Sequence, residues 1–290
     1  RINVMPRILE SLSKEDGSKY NLYRDGLKIY TTLDSKMQEF AEKAVQKHMS
    51  ELQSRFYKHW KDYKEEKPWG DDKWLEEQKL RSERYLKLKE DETPDSIIEK
   101  SFNEPVKMTV FTWKNGGGDT DTIMSPMDSI KHYFLMLNTG FMAMDHSNGH
   151  IKAWVGGTDF KYFKYDHVKQ GKRQPGSTFK AFVYGLAMEN GYSPCVIKKD
   201  IAPQFDLPGQ PPWYPLNADG SRGHGESMTI RRAMAQSVNS ITAQIMQELK
   251  AENVVEFAHR VGIESKLDAV PSLCLGTSDV SLFEMVGAYS

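Results

Sequence analysis

The chain is poor in cysteine: Cys195 and Cys274 are its only thiols, far apart and each in an otherwise apolar stretch. Residues so placed make neither a metal knuckle nor a redox pair, and they suit a reducing or an oxidising compartment equally. They read as small buried hydrophobes. No uninterrupted apolar run approaches the ~20 residues that a membrane-spanning helix needs. The chain starts at Arg1 without the charged-then-apolar pattern of an export signal, so it reads as an internal piece of something longer. Charge of one sign is missing too: 39 Lys and Arg face 40 Asp and Glu, which leaves no long-range field to steer the protein onto nucleic acid. No His-Glu-x-x-His or paired-ligand spacing supports a metal, and no cofactor is implied. His224, alone in Gly223-His224-Gly225, reads as a structural or exposed histidine.

What is present is enough to fold. Hydrophobic residues make up 39% and aromatics 11% of 290 residues, too much for disorder and enough for about two domains. Leu27 to Thr32 has the β-branched and aromatic character of a strand, and Asp34 caps a helix beginning near Lys36. Between Glu51 and Lys100 charges are dense, yet Phe56, Trp60 and Tyr63 recur at helical spacing and predict an amphipathic helix with one buried stripe. Val106 to Trp113 alternates like a half-buried strand and is followed by Asn115-Gly116-Gly117-Gly118, which predicts a hairpin. That glycine run lacks the Gly-Lys-Ser/Thr ending of a phosphate loop. Further strands, GFMAMD and HIKAWVGG, are joined by Ser147-Asn148-Gly149. Ser177 to Asn190 is apolar on most faces and stops at Gly191, as a buried central helix does. Thr229 caps a helix through Ala235, and helices follow from about Ile241 to Lys250 and Val254 to Arg260.

The sharpest chemical feature is Arg173-Gln174-Pro175-Gly176-Ser177-Thr178-Phe179-Lys180. Pro-Gly delivers Ser177 to the first turn of the buried helix, and Lys180 lies one turn on, within reach of its hydroxyl. Burial and the positive end of the helix dipole both push the lysine towards neutrality, and the amides of that turn are placed to stabilise an oxyanion. Spacing alone is weak evidence, since Ser11 and Lys14 match it on what reads as a polar helical segment. Ser237-Val238-Asn239 falls at the break between two helices, where a hydroxyl and an amide could face a cleft. It is also matched elsewhere, at Ser101-Phe102-Asn103.

Taken in order, GLKIYTTLD, GHIKAWVGG, RQPGSTFKAFVYGLAMENG, TIRRAMAQSVNS and LGTSDVSLFEMVGAYS resemble successive blocks of class A penicillin-binding proteins, whose motifs are Ser-x-x-Lys, Ser-x-Asn and Lys-Ser/Thr-Gly. The resemblance implies an α+β fold: a serine β-lactamase-like transpeptidase domain at 132–290 with a buried nucleophile-bearing helix, a smaller mixed linker domain at 35–131, and a connector helix and strand at 1–34. It makes Ser177 the acyl-enzyme nucleophile, Lys180 its general base, Ser237 a proton relay and Asn239 a substrate ligand. Trp213 and Asn217, in a stretch similar to the family's Trp-x-Pro-x-Asn, become candidate substrate contacts or merely loop-ordering residues. No Lys-Ser/Thr-Gly occurs, so the site is expected to be incomplete within these residues. The implied partners are peptidoglycan stem peptides, with β-lactams as inhibitors. The implied parent carries a membrane anchor and a glycosyltransferase domain upstream, at the outer face of the bacterial inner membrane. D,D-carboxypeptidase or β-lactamase-like hydrolysis, or a non-catalytic envelope scaffold, are the alternatives.

Overall fold

A computed structural model describes residues 9–62, 67–206, 209 and 211–290. The chain divides into two compact units, one ending at Leu33 and the other running from Asp34 to Ser290. In the first, Ser13 bridges Lys19 and Lys14 pairs with Asp25 at 2.8 Å. Ser11 lies in a turn and not on a polar helix, and Lys14 is committed to a carboxylate, so this Ser-x-x-Lys match has no free amine. The segment Leu27 to Thr32 is irregular, with Ile29 54% and Tyr30 89% exposed. β-Branched residues favour extended chain, but a strand exists only through its ladder, and none of these residues is paired in one.

The second unit opens with α1, Ser35–Asp62, where the Asp34 carboxylate accepts the amides of Lys36 and Met37 at 2.9 and 3.0 Å. Its buried positions are Ala41, Met49 and Gln53, while Phe56 and Trp60 meet edge to face at 6.2 Å and are only half-buried. Tyr63 lies outside the described residues. Three short helices follow: α2 (Asp72–Arg81), α3 (Glu83–Glu90) and α4 (Asp95–Asn103). Asp71 and Ser82 cap the first two, satisfying amides that have no partner inside the helix. Lys79, 2% exposed, holds Glu76 at 2.6 Å and Glu99 at 2.5 Å. Ser101 and Asn103 bond back to their own helix, donating to the carbonyls of Ile98 and Glu99, so the second Ser-x-Asn match is structural.

The predicted hairpin is β1 (Val106–Thr112) against β2 (Gly118–Met124), in register from Val106–Met124 to Thr112–Gly118. Helix α5 (Pro126–Phe134) follows, capped by Ser125. The second hairpin, β3 (Phe141–Asp145) and β4 (His150–Val155), is tied to α1 through Gln38, which exchanges hydrogen bonds of 3.0 and 2.8 Å with the main chain of Trp154.

Beyond it come β5 (Lys172–Arg173), a 3₁₀ turn at Gly176–Phe179, α6 (Lys180–Glu189), β6 (Ile197–Lys199), β7 (Ser227–Thr229), α7 (Ile230–Ala235), α8 (Asn239–Leu249) and α9 (Ala251–Arg260). A second 3₁₀ turn at Pro271–Leu275, β8 (Val280–Ser281) and α10 (Leu282–Tyr289) complete the order. Among the described residues the named strands pair only two by two and antiparallel, β5 with β8 and β6 with β7 like the hairpins.

The main core lies here. Phe179, Val183, Ile241, Ile245, Val254 and Leu273 are all fully buried where α6, α8, α9 and the second 3₁₀ turn meet. Cys274 belongs to it as expected, but Cys195 is exposed, because its turn follows the end of α6 and lies outside the core. No helix among the described residues is long and apolar enough to cross a membrane.

Candidate active site

Gly176 adopts a left-handed φ of 60°, which glycine enters without steric cost, and so turns the chain from Pro175 into the 3₁₀ segment that carries Ser177. The amide of Lys180 closes that turn on the carbonyl of Ser177. In a 3₁₀ turn side chains three apart stand one above the other, so Ser177 and Lys180 share a face. Ser177 is exposed and Lys180 is 2% exposed.

The second half of the site comes from the end of α7. Val238 donates to Ala233 and Ser237 to Met234, both at 2.9 Å, which is a Schellman ending with its left-handed position filled by Ser237 at φ 55°. Glycine usually takes that place, and a serine there costs on the order of 1–3 kcal/mol in backbone strain. The consequence is local: the carbonyl and hydroxyl of Ser237 both meet one amine. Lys180 Nζ donates to Ser237 O at 2.6 Å, lies 2.9 Å from Ser237 Oγ, and donates to Asn239 Oδ1 at 2.5 Å. An ammonium has three hydrogens, so all are used, and none goes to Ser177. The direct serine–lysine hydrogen bond expected from spacing is therefore not made; the amine is drawn across to the Ser237 turn.

Burial lowers the Lys180 pKa, and every acceptor the amine contacts is neutral. The Cys274 sulfur would favour the ammonium if ionised, but its own burial pushes the thiol up to about 12, so it brings no thiolate to hold the charge.

Asn217 and Trp213 are placed differently. Asn217 Oδ1 accepts the amides of Asn239 at 2.9 Å and Ser240 at 3.2 Å, acting as the cap of α8 from a distant loop, and its Nδ2 donates to Asp200 at 3.0 Å. Its side chain is spent on the protein, which in this structure makes it a holder of the motif. Trp213 is half-buried against Phe205, ring to ring at 5.5 Å, and bridges the same residue through its main chain, so it orders the loop. His224 is exposed and pairs with Asp219 at 2.6 Å.

Three features of the site were not read from the sequence. Asp200, 3% exposed, anchors Asn217 and Ser240. Gly276 packs on the Ser177 turn: its carbonyl accepts the amide of Gly176 at 3.3 Å, and a Cβ there would come within 2.2 Å of Gly176 O. The Tyr289 hydroxyl donates to the carbonyl of Thr178. Each is a common residue made special by a long-range contact. Among the described residues no group of three or more His, Cys, Asp or Glu side chains is placed to hold a metal ion.

Residues 55–137 match the family model of the penicillin-binding protein middle domain, and residues 139–270 match that of the penicillin-binding protein transpeptidase domain. The chain is 32% identical to Penicillin-binding protein 1A of Rickettsia typhi over 98% of its own length, and 30% identical to its counterpart in Rickettsia felis over the same share. It spans 38% of the length of those curated relatives. The crystal structure of Penicillin-Binding Protein 1A from Haemophilus influenzae superposes on 99% of this chain and 44% of that one, with a TM-score of 0.62 at 22% identity, which shows the shared fold. With both domain models matched in order, and the Ser-x-x-Lys and Ser-x-Asn segments brought together by one buried amine, the chain belongs to the class A penicillin-binding proteins.

Proposed function

We propose that the chain carries the nucleophile and base of a peptidoglycan D,D-transpeptidase that works through an acyl-serine. The observation that carries this reading is the contact of buried Lys180 with Ser237 and Asn239 through neutral groups alone. A neutral amine has two hydrogens, which serve the Ser237 carbonyl and Asn239 Oδ1, and a lone pair, which accepts the Ser237 hydroxyl hydrogen. That arrangement lets Ser237 relay a proton between Lys180 and the reacting groups. Ser177 Oγ attacks the carbonyl carbon of a D-Ala-D-Ala terminus and passes its proton to the base. The C–N bond breaks as the leaving D-Ala takes a proton back, and an amine of a second stem peptide then displaces Ser177 from the ester. β-Lactams acylate the same oxygen by opening their ring. Asn239 Nδ2 donates to Leu216 O at 2.7 Å in this structure, so a role as substrate ligand requires that bond to be exchanged.

The same reading divides the chain at 1–34, 35–131 and 132–290 into connector, linker and transpeptidase portions, and sets it in a parent with a glycosyltransferase domain and a membrane anchor, in the bacterial envelope. The test is labelling of the full-length protein with a fluorescent penicillin and mapping of the labelled peptide. Label on Ser177 that vanishes in Ser177→Ala, with an unchanged melting curve, is expected. A folded protein that takes no label is a scaffold instead. Free tetrapeptide without cross-linked product, from unlabelled enzyme supplied with both donor and acceptor peptides, makes it a hydrolase.

A further inference from the structure

Asp200 is a buried ionisable group to which the reaction above gives no part. It is 3% exposed, and its carboxylate is occupied on both oxygens. Oδ1 accepts the Ser240 hydroxyl and, at 3.0 Å, Asn217 Nδ2; Oδ2 accepts the main-chain amide of His224 at 3.0 Å. Burial works against the charge, but the hydrogen bonds from Ser240, His224 and Asn217 outweigh it and hold the carboxyl below its usual range.

The donor and acceptor logic runs onward from there. A carboxylate only accepts, so Asn217 must turn its NH₂ to Asp200, which leaves its Oδ1 for the amides of Asn239 and Ser240 at 2.9 and 3.2 Å. Those amides open α8 and fix where Asn239 stands. Asn239 then spends Nδ2 on Leu216 O and presents Oδ1 to Lys180 at 2.5 Å. The Ser240 hydroxyl ties the same turn directly to Asp200. A neutral amide at position 200 breaks this order, because its NH₂ must face either the His224 N–H or the donors of Ser240 and Asn217.

We propose that Asp200 is a positioning residue of the acyl transfer, setting the Ser237–Asn239 turn against Lys180 through Asn217. The inference rests on the reading of Ser177 and Lys180 given above.

Acylation of the full-length protein by fluorescent penicillin, followed over a range of concentrations, separates the binding constant from the acylation rate constant. Asp200→Asn is expected to lower the rate constant at least tenfold and the binding constant less than threefold. Asn217→Ala should do the same. The double variant should be no more than threefold slower than the slower single one, because both substitutions cut one chain of contacts. A folded Asp200→Asn protein whose rate constant falls less than tenfold, a loss that sits mainly in the binding constant, or a double variant slower than that limit overturns the proposal. Circular dichroism reports folding, and if Asp200→Asn does not fold, Asn217→Ala is judged alone by the same tenfold limit. A wild-type protein that is not labelled at Ser177 sinks the proposed function itself, whereas normal labelling of Ser177 with an indifferent Asp200→Asn sinks only the inference about Asp200.

Discussion

Two lysines in this molecule are equally buried and opposite in character. Lys79 in the charged helices and Lys180 in the packed core region are both 2% exposed. Burial works to lower both pKa values. For Lys79 it is outweighed by Glu76 and Glu99, so the ammonium is held above its ordinary range, while Lys180 finds only carbonyl, hydroxyl and amide oxygens and is lowered. The difference teaches that burial alone does not make a base. What suits a lysine to that role is burial without a counter-charge, and the Ser237 turn supplies it by offering neutral acceptors where the charged helices offer carboxylates.

The same substitution at both positions gives the widest contrast. Lys180→Met should lower penicillin acylation by about 10²–10⁴-fold, the usual worth of a general base, with the melting temperature maintained or raised. A smaller change follows from importing the charged helices' chemistry into the site. Asn239→Asp sets a carboxylate where Asn239 Oδ1 now meets Lys180 at 2.5 Å, and the added counter-charge should raise the lysine pKa. A base with a raised pKa is neutral only at higher pH, so the acid limb of the acylation profile should move to higher pH and the rate at neutral pH should fall about tenfold or more. An unmoved limb would break the comparison. Smallest of all, Lys79→Met should change the unfolding free energy by no more than about 1 kcal/mol in urea titration, because Glu76 and Glu99 are 51% and 56% exposed and keep their water when the cation is gone.

Much of this was legible in the sequence, because much of it is local. Caps at Asp34 and Thr229, the hairpin at the glycine run and the turn at Ser147-Asn148-Gly149 each depend on residues within a few positions of one another. The nucleophile turn was readable for the same reason, Pro175 and Gly176 setting its backbone. What was not legible was decided by partners far along the chain. Leu27 to Thr32 has the composition of a strand, yet pairing is not a property of one segment. Spacing puts Lys180 within reach of Ser177, but the left-handed Ser237 offers two oxygens at once and takes the amine. Asp200 gave no signal, since its meaning lies in Asn217 and Ser240.

Gly276, pressed against Gly176, sets an order of events during synthesis. The segment with Ser177 leaves the ribosome first, yet its turn is braced by backbone made about a hundred residues later. Until that late clasp closes, the Ser177 turn of a nascent chain lacks its brace.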